Sequence, residues 1–321
     1  MLDIHSLIVG VEMPEVHPWN VANINAPNRL AVRQAFDIAA SMKRPVHLVA
    51  VLPEVVGGYF GSQVDHDFAV DGDRDEAAIV LKQLVEEETQ RVGGCTSTFS
   101  VMFGRPWYEL LRVASKHRDN LLICGTRKQG SISRFLFGST GLKLLRHAEC
   151  PVWLVKPRTD DDAILDILCT SDLTEVGEDV VSAGVLLSQH IACRLNVVHV
   201  VDHDLHHLAR TRLTEQQLAD QTTEATDQAE AKLHSQISLT DYRTLENGLQ
   251  AHVKTGSVSQ TLLEAIEELQ IDVLVLATRA RDGLAGMVFG NTAEQLLWDV
   301  PCSVLAVKPD TFQSPISFDD N

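Results

Sequence analysis

The segment Gly125–Thr140, GTRKQGSISRFLFGST, concentrates residue types that can hold an anion. It follows a short apolar run, Leu121–Cys124, and leads into a helical pattern that opens at Gly138-Ser139-Thr140. Gly125 would permit a tight turn at the strand end, and Gly138 would let backbone come close to a ligand. Ser139 or Thr140 could cap the helix and offer a hydroxyl. The exposed N–H groups and the dipole of a helix start favour negative charge, such as phosphate. Arg127 and Lys128 add positive charge beside them. A Gly/Ser pair at a helix start also serves as an ordinary cap, but a strand–loop–helix setting in a parallel sheet favours the anion reading.

The elements that must position this loop occur twice. LICGTRKQGSISRFLFGSTGLKLLRHAECPVWLVKP in mid-chain and LATRARDGLAGMVFGNTAEQLLWDVPCSVLAVKP near the C-terminus run in step: Phe137 with Phe289, Gly138 with Gly290, Cys150 with Cys302, Lys156 with Lys308. A repeat of this length is a domain, and 321 residues suit two of them. The first copy reads as strands at Leu7–Val11, Val46–Leu52, Ser97–Phe103, Leu121–Cys124 and Val152–Val155. Helices fall at Asn28–Met42, Asp73–Val92, Pro106–His117 and Ser139–His147. The second copy repeats the order: strands Ile164–Cys169, Leu195–Val201, Gln250–Lys254, Val273–Leu276 and Ser303–Val307, and helices Val180–Ala192, 205–236, Val258–Leu269 and Thr292–Leu297. Continuous apolar strands alternating with helices predict an α/β fold of two tandem, doubly wound parallel sheets. The expected domains are 1–157 and 163–310, with a short polar linker between them and a surface tail at 311–321. Pro14–Pro27, with three prolines, is a long loop that only the first copy has.

Composition narrows the partners. A net charge of −17 opposes nucleic acid and anionic membrane surfaces, so a bound polyanion needs local donors. No apolar run is long enough to span a bilayer, and MLDIHSLIVGV lacks the basic start of a secretory signal. Six cysteines without a CxxC pair, mostly in apolar stretches, suit a reduced compartment. The expected location is the cytoplasm.

GTRKQGSISRFLFGST followed by HAECPVWLVKP resembles the universal stress protein family. Nucleotide-binding members of that family carry G-x2-G-x9-G-[ST] after the fourth strand and then a strand of CPVLVVK type. The organisation in two copies and the ending GNTAEQ…VKPD resemble its tandem, E-type members. The resemblance implies five-stranded parallel sheets of adenosine-binding type and a stress-response role. Carried onto this chain, it implies adenine-nucleotide contacts from Gly125, Gly138 and Ser139, with Lys128 at the second glycine's position and a displaced Gly130 nearby. A lysine there either fills the phosphate space or pairs with phosphate. The family's acidic nucleoside contact falls at or near Glu12, and Val51 matches the apolar position near adenine. The second copy departs further: Ala277 and Ala280 replace the loop glycines, Asn291 replaces the Ser, Asp282 adds negative charge, and Cys169-Thr170 stands near the acidic position. Tight ATP binding is not expected in that half.

Other groupings have plainer readings. His199, His203, His206 and His207 with Asp202 and Asp204 could chelate zinc, His203 and His207 being four apart, but surface or packing histidines account for them as well. The 205–236 helix reads as a solvated outer helix or a partner-binding one. Trp153, Trp107 and Tyr108 read as packing, although the family's last strands pair across a dimer. Tandem domains could make that contact within one chain, and a homodimer stays open. No Walker A, GxSxG, HExxH or paired-carboxylate motif appears. The expectation is therefore an ATP-binding regulatory protein, with Mg²⁺ accompanying the nucleotide. A non-nucleotide scaffold or receptor for an apolar small ligand, and a slow ATPase or self-phosphorylating protein, are the alternatives.

Overall fold

The computed structural model describes residues 3–53, 63–126, 137–158, 164–202, 214–278, 296–297 and 299–318. The chain divides into two compact units, Asp3–Asp161 with the C-terminal residues from Gln313 onward, and Asp162–Phe312 with Met1–Leu2.

In the first unit the strands are β1 (Leu7–Gly10), β2 (Val46–Leu52), β3 (Ser97–Phe103), β4 (Leu121–Gly125) and β5 (Val152–Val155). They are all parallel, in the order β3-β2-β1-β4-β5. The helices are α1 (Ala26–Met42), α2 (Gln63–Arg91), α3 (Pro106–Ala114) and α4 (Ser139–His147). LIVG, LLIC and VWLV are buried throughout because both faces of the sheet are covered. Trp153 is fully buried in β5, in register with Ile123 of β4, which bears out its reading as packing. α1 starts at a defined point because the Asn25 side chain accepts from the Asn28 N–H and a proline occupies its first turn. Lys43 ends it in the left-handed conformation.

The second unit repeats the plan: β6 (Leu165–Thr170), β7 (Cys193–Asp202), β8 (Leu249–Gly256), β9 (Val273–Ala277) and β10 (Ser303–Val307), parallel in the order β8-β7-β6-β9-β10. Its helices are α5 (Glu175–Ser188), α6 (Glu215–Ser238) and α7 (Val258–Glu268). The helix expected at Thr292–Leu297 lies almost wholly outside the described residues.

Helix boundaries differ from the sequence reading in several places: α6, read from residue 205, begins at Glu215, where Thr214 and Gln217 form a capping box. α2 begins ten residues before Asp73. α5 starts at Glu175 rather than Val180, since its first turn is acidic and capped by Thr174 and so carries little apolar signal. α3 stops at Ala114. The tail is not a bare extension: the Ser314 N–H donates to Glu149 Oε1 at 2.7 Å, and the Phe318 ring lies 5.3 Å from that of Tyr108.

Candidate functional site

A cavity of about 680 Å³ opens in the first unit at the carboxyl ends of β1, β2 and β4, where the strand order reverses. Much of the lining is apolar, with Val11, Val49, Val51, Leu110 and Leu154. The lining also takes in Gly125 and Thr126 at the end of β4 and Gly138–Gly141 at the start of α4. Volume and lining suit a small molecule with one apolar and one polar part.

The expected residues converge only in part. Glu12, Val51, Gly125, Gly138, Ser139 and Thr140 all line the cavity. Arg127, Lys128 and Gly130 lie outside the described residues. Among the residues that line it here, none is Lys or Arg, while Glu12, Glu15 and Asp73 contribute carboxylates. Glu12 is set in place by α1: its backbone N–H donates to Asn28 Oδ1 at 3.3 Å, and Asn28 is buried.

Two roles change. Gly125 is no turn residue but the last residue of β4, and it is glycine for a steric reason. A Cβ there would sit 2.6 Å from the Asn28 nitrogen and from the Pro27 carbonyl carbon, both backbone atoms of α1. Neither Ser139 nor Thr140 caps α4: Gly138 is the N-cap and supplies no side-chain hydrogen bond. The cap residue therefore gives the first-turn N–H groups no side-chain partner, and among the described residues nothing lies within 4 Å of where a Gly138 Cβ would be.

The sequence reading missed several lining residues. Thr126 is 4% exposed and its Oγ1 has no hydrogen-bond partner among the described residues, and the same holds for the buried Trp19 Nε1. Both residues face this cavity, and an unsatisfied buried polar atom is costly unless something meets it. Thr126 lay inside the motif already marked as anion-binding. Trp19 lay in the proline-rich loop and carried no local signal. Cys124 also lines the cavity, but burial pushes its thiol up to about 12, so it is no thiolate nucleophile.

The corresponding place in the second unit is built differently. Leu7 is in register with Leu121, and Ile167 with Val273, one repeat step further on. This register makes Asp172, not Cys169 or Thr170, the counterpart of Glu12. Asp172 is already used: its Oδ1 accepts from the Thr174 N–H at 3.0 Å and the Thr174 hydroxyl at 2.6 Å, forming the entry to α5. Ser171 donates to Gln236 Oε1 at 2.6 Å within the core, and Gln236 Nε2 donates to the Thr174 carbonyl at 2.9 Å. His199 is bound to the Ser171 carbonyl at 2.8 Å, which makes it a packing histidine. His203, His206, His207 and Asp204 lie outside the described residues, as do Ala280, Asp282 and Asn291.

Comparison with known proteins decides the family. The model of the universal stress protein family matches residues 25–156 and again 165–308. The chain belongs to the universal stress protein family. It is a tandem member, with one copy in each unit. It is similar to universal stress protein E of Escherichia coli strain K12, 23% identical over 225 residues, covering 68% of this chain and 70% of that protein. Universal stress protein E of Salmonella typhi is 39% identical over 69 residues, 22% of each chain. Among solved structures, a functionally unknown protein from Pseudomonas aeruginosa PAO1 aligns with a TM-score of 0.65 at 20% identity, covering 96% of this chain and 94% of that one. A universal stress protein from Archaeoglobus fulgidus aligns at 0.60 and 14% identity, covering 94% and 98%. At these identities the structures speak for the fold alone. No helix among the described residues is long and apolar enough to cross a membrane.

Proposed function

We propose that the first domain is an adenine-nucleotide receptor and that its role is regulatory, without fast turnover. The supporting observation is the cavity at the switch point: its lining combines the apolar Val49 and Val51 with the α4 start, whose N-cap glycine supplies no side-chain hydrogen bond to the first turn. The base would rest on the apolar lining, and phosphate would face Gly138–Thr140, with Thr126 Oγ1 as a further donor. Arg127 and Lys128, together with Mg²⁺, would offset the carboxylates of Glu12 and Glu15. Binding would shift a surface that a partner reads. The second domain, where Asp172, the counterpart of Glu12, is tied into the start of α5 beside Ser171, would not bind ATP tightly.

The alternative is a receptor for an apolar small molecule. It is favoured by the mostly apolar lining, which also includes Met13, Phe103 and Phe137, and by the carboxylates among the lining residues. Titration calorimetry of the full chain with ATP and Mg²⁺ separates the two readings. Nucleotide binding predicts one site per chain, lost in Gly138→Asp. Asp is a good N-cap, so the helix survives while its carboxylate repels phosphate. Neither heat nor a thermal shift at millimolar ATP in the unmutated protein would leave the apolar-ligand reading standing.

A further inference from the structure

The proline-rich loop unique to the first domain carries a second arrangement that the nucleotide reading does not use. His17 reaches across to α2, where Asp73 and Glu76 are three residues apart and so on one helix face. One donor atom from each of the three falls within 4.8 Å of the others. Glu76 is committed on both oxygens: Oε1 accepts the Trp19 backbone N–H, and Oε2 lies 2.7 Å from His17 Nδ1. The Trp19 ring stacks on the imidazole at 4.2 Å and fixes its plane. When the carboxylate accepts the hydrogen bond from Nδ1–H, the Nε2 lone pair faces outward, which is how supporting acids orient metal-bound histidines.

His17 Nε2 then faces Asp73 Oδ1 at 3.7 Å, too far for a hydrogen bond. Two ligands of one tetrahedral first-row ion, each about 2.0–2.2 Å from it, stand roughly 3.4 Å apart. A closure of a few tenths of an ångström at two half-exposed side chains would therefore bring this pair onto an ion. His17 and Asp73 both line the cavity, whereas Glu76 stands behind them.

We propose that His17 Nε2 and Asp73 bind a first-row divalent cation at the mouth of the first domain's cavity. Glu76 is the positioning residue, and the remaining coordination positions are open to water or to a cavity ligand. A mixed imidazole–carboxylate set suits zinc and its neighbours better than calcium or magnesium. The proposal does not depend on nucleotide, and its test contains none.

Zinc is titrated calorimetrically into the full chain stripped of metal, and cobalt is followed by its visible ligand-field bands. The unmutated protein should take up one equivalent that Asp73→Asn and His17→Gln both lose, while Glu76→Gln weakens the same equivalent about 10–100-fold. His5→Ala, away from the cluster, should change nothing. Circular dichroism of each variant checks the fold, and since His17 and Asp73 lie on separate, partly exposed elements, either variant serves alone. No uptake by the unmutated chain at 100-fold molar excess, or uptake unchanged in the Asp73 and His17 variants, overturns the proposal and leaves an ion pair.

Discussion

The two domains part company at the connection from the first strand to the first helix. In the first domain residues 11–25 make this connection, and in the second residues 171–174 do. The short one is taut: Leu173 takes a left-handed conformation at φ 59°, Asp172 caps its own turn, and Ser171 is locked to Gln236. The long one leaves Glu12 facing a cavity and swings His17 and Trp19 over α2. The same two positions thus serve helix entry in one copy and line a cavity in the other. What distinguishes the copies is how much chain is available to close the strand end, more than the fold that carries it.

The largest effect expected from breaking that difference is at Gly125, whose counterpart one repeat step on is Ala277. Gly125→Ala puts a methyl group 2.6 Å from α1 backbone, and backbone cannot turn aside as a side chain can. The first domain should lose about 1–3 kcal/mol, toward the upper end. Ala277→Gly should cost no more than about 1 kcal/mol in the second. Urea unfolding of the two single variants measures both. Equal costs would mean that α1 is not seated on β4 as described.

Next comes the network that fills the second domain's strand end. Ser171 and Gln236 are both buried, and Gln236→Ala takes the acceptor from the Ser171 hydroxyl and a donor from the Thr174 carbonyl. A stability loss of about 1–3 kcal/mol is expected from the stranded hydroxyl. ATP affinity of the full chain should not change, because the nucleotide is assigned to the other domain. A changed ATP isotherm would move the nucleotide to the second domain.

The parts legible in the sequence were those with local causes. β2, β3, β5 and β10 fall where the apolar runs were, and α4 begins at the Ser139 that follows its N-cap glycine, because burial and helix entry are written into adjacent residues. The proline-rich insertion could be read as a loop, but not the use made of it: His17 and Glu76 are 59 residues apart in the chain, and no periodicity links them. The counterpart of Glu12 was misplaced for a related reason. The motif at the end of the domain keeps one spacing between copies, but the differing loop changes the spacing earlier. Only strand register puts Asp172 opposite Glu12. Gly125 was recognised as necessary and given the wrong cause, since the obstruction comes from Pro27 and Asn28, far away in sequence.

The smallest effect concerns pH and asks whether the domains respond separately. Each carries a strand histidine held below its ordinary value of 6.5. His47 on β2 is lowered chiefly by burial and secondly by Lys116, with its nitrogens 2.8 Å from Thr98 Oγ1 and 2.9 Å from Ser100 Oγ. His252 on β8 is lowered by burial and then by Lys254, is opposed by Glu268, and bonds Asn196 Oδ1 at 3.0 Å. A histidine whose folded pKa lies below its unfolded one binds fewer protons in the folded state. Its contribution is therefore intact above 6.5 and is lost as pH falls from there through the folded value. Stability should be flat from pH 8 to 7 and decline toward pH 5. His47→Gln should remove part of that decline in the first domain and His252→Gln part of it in the second, each leaving the other's share. Urea midpoints at pH 7.5 and 5 test this. A decline that survives both substitutions in full would assign it to other groups, and a single substitution that flattens both shares would mean that the two domains unfold as one.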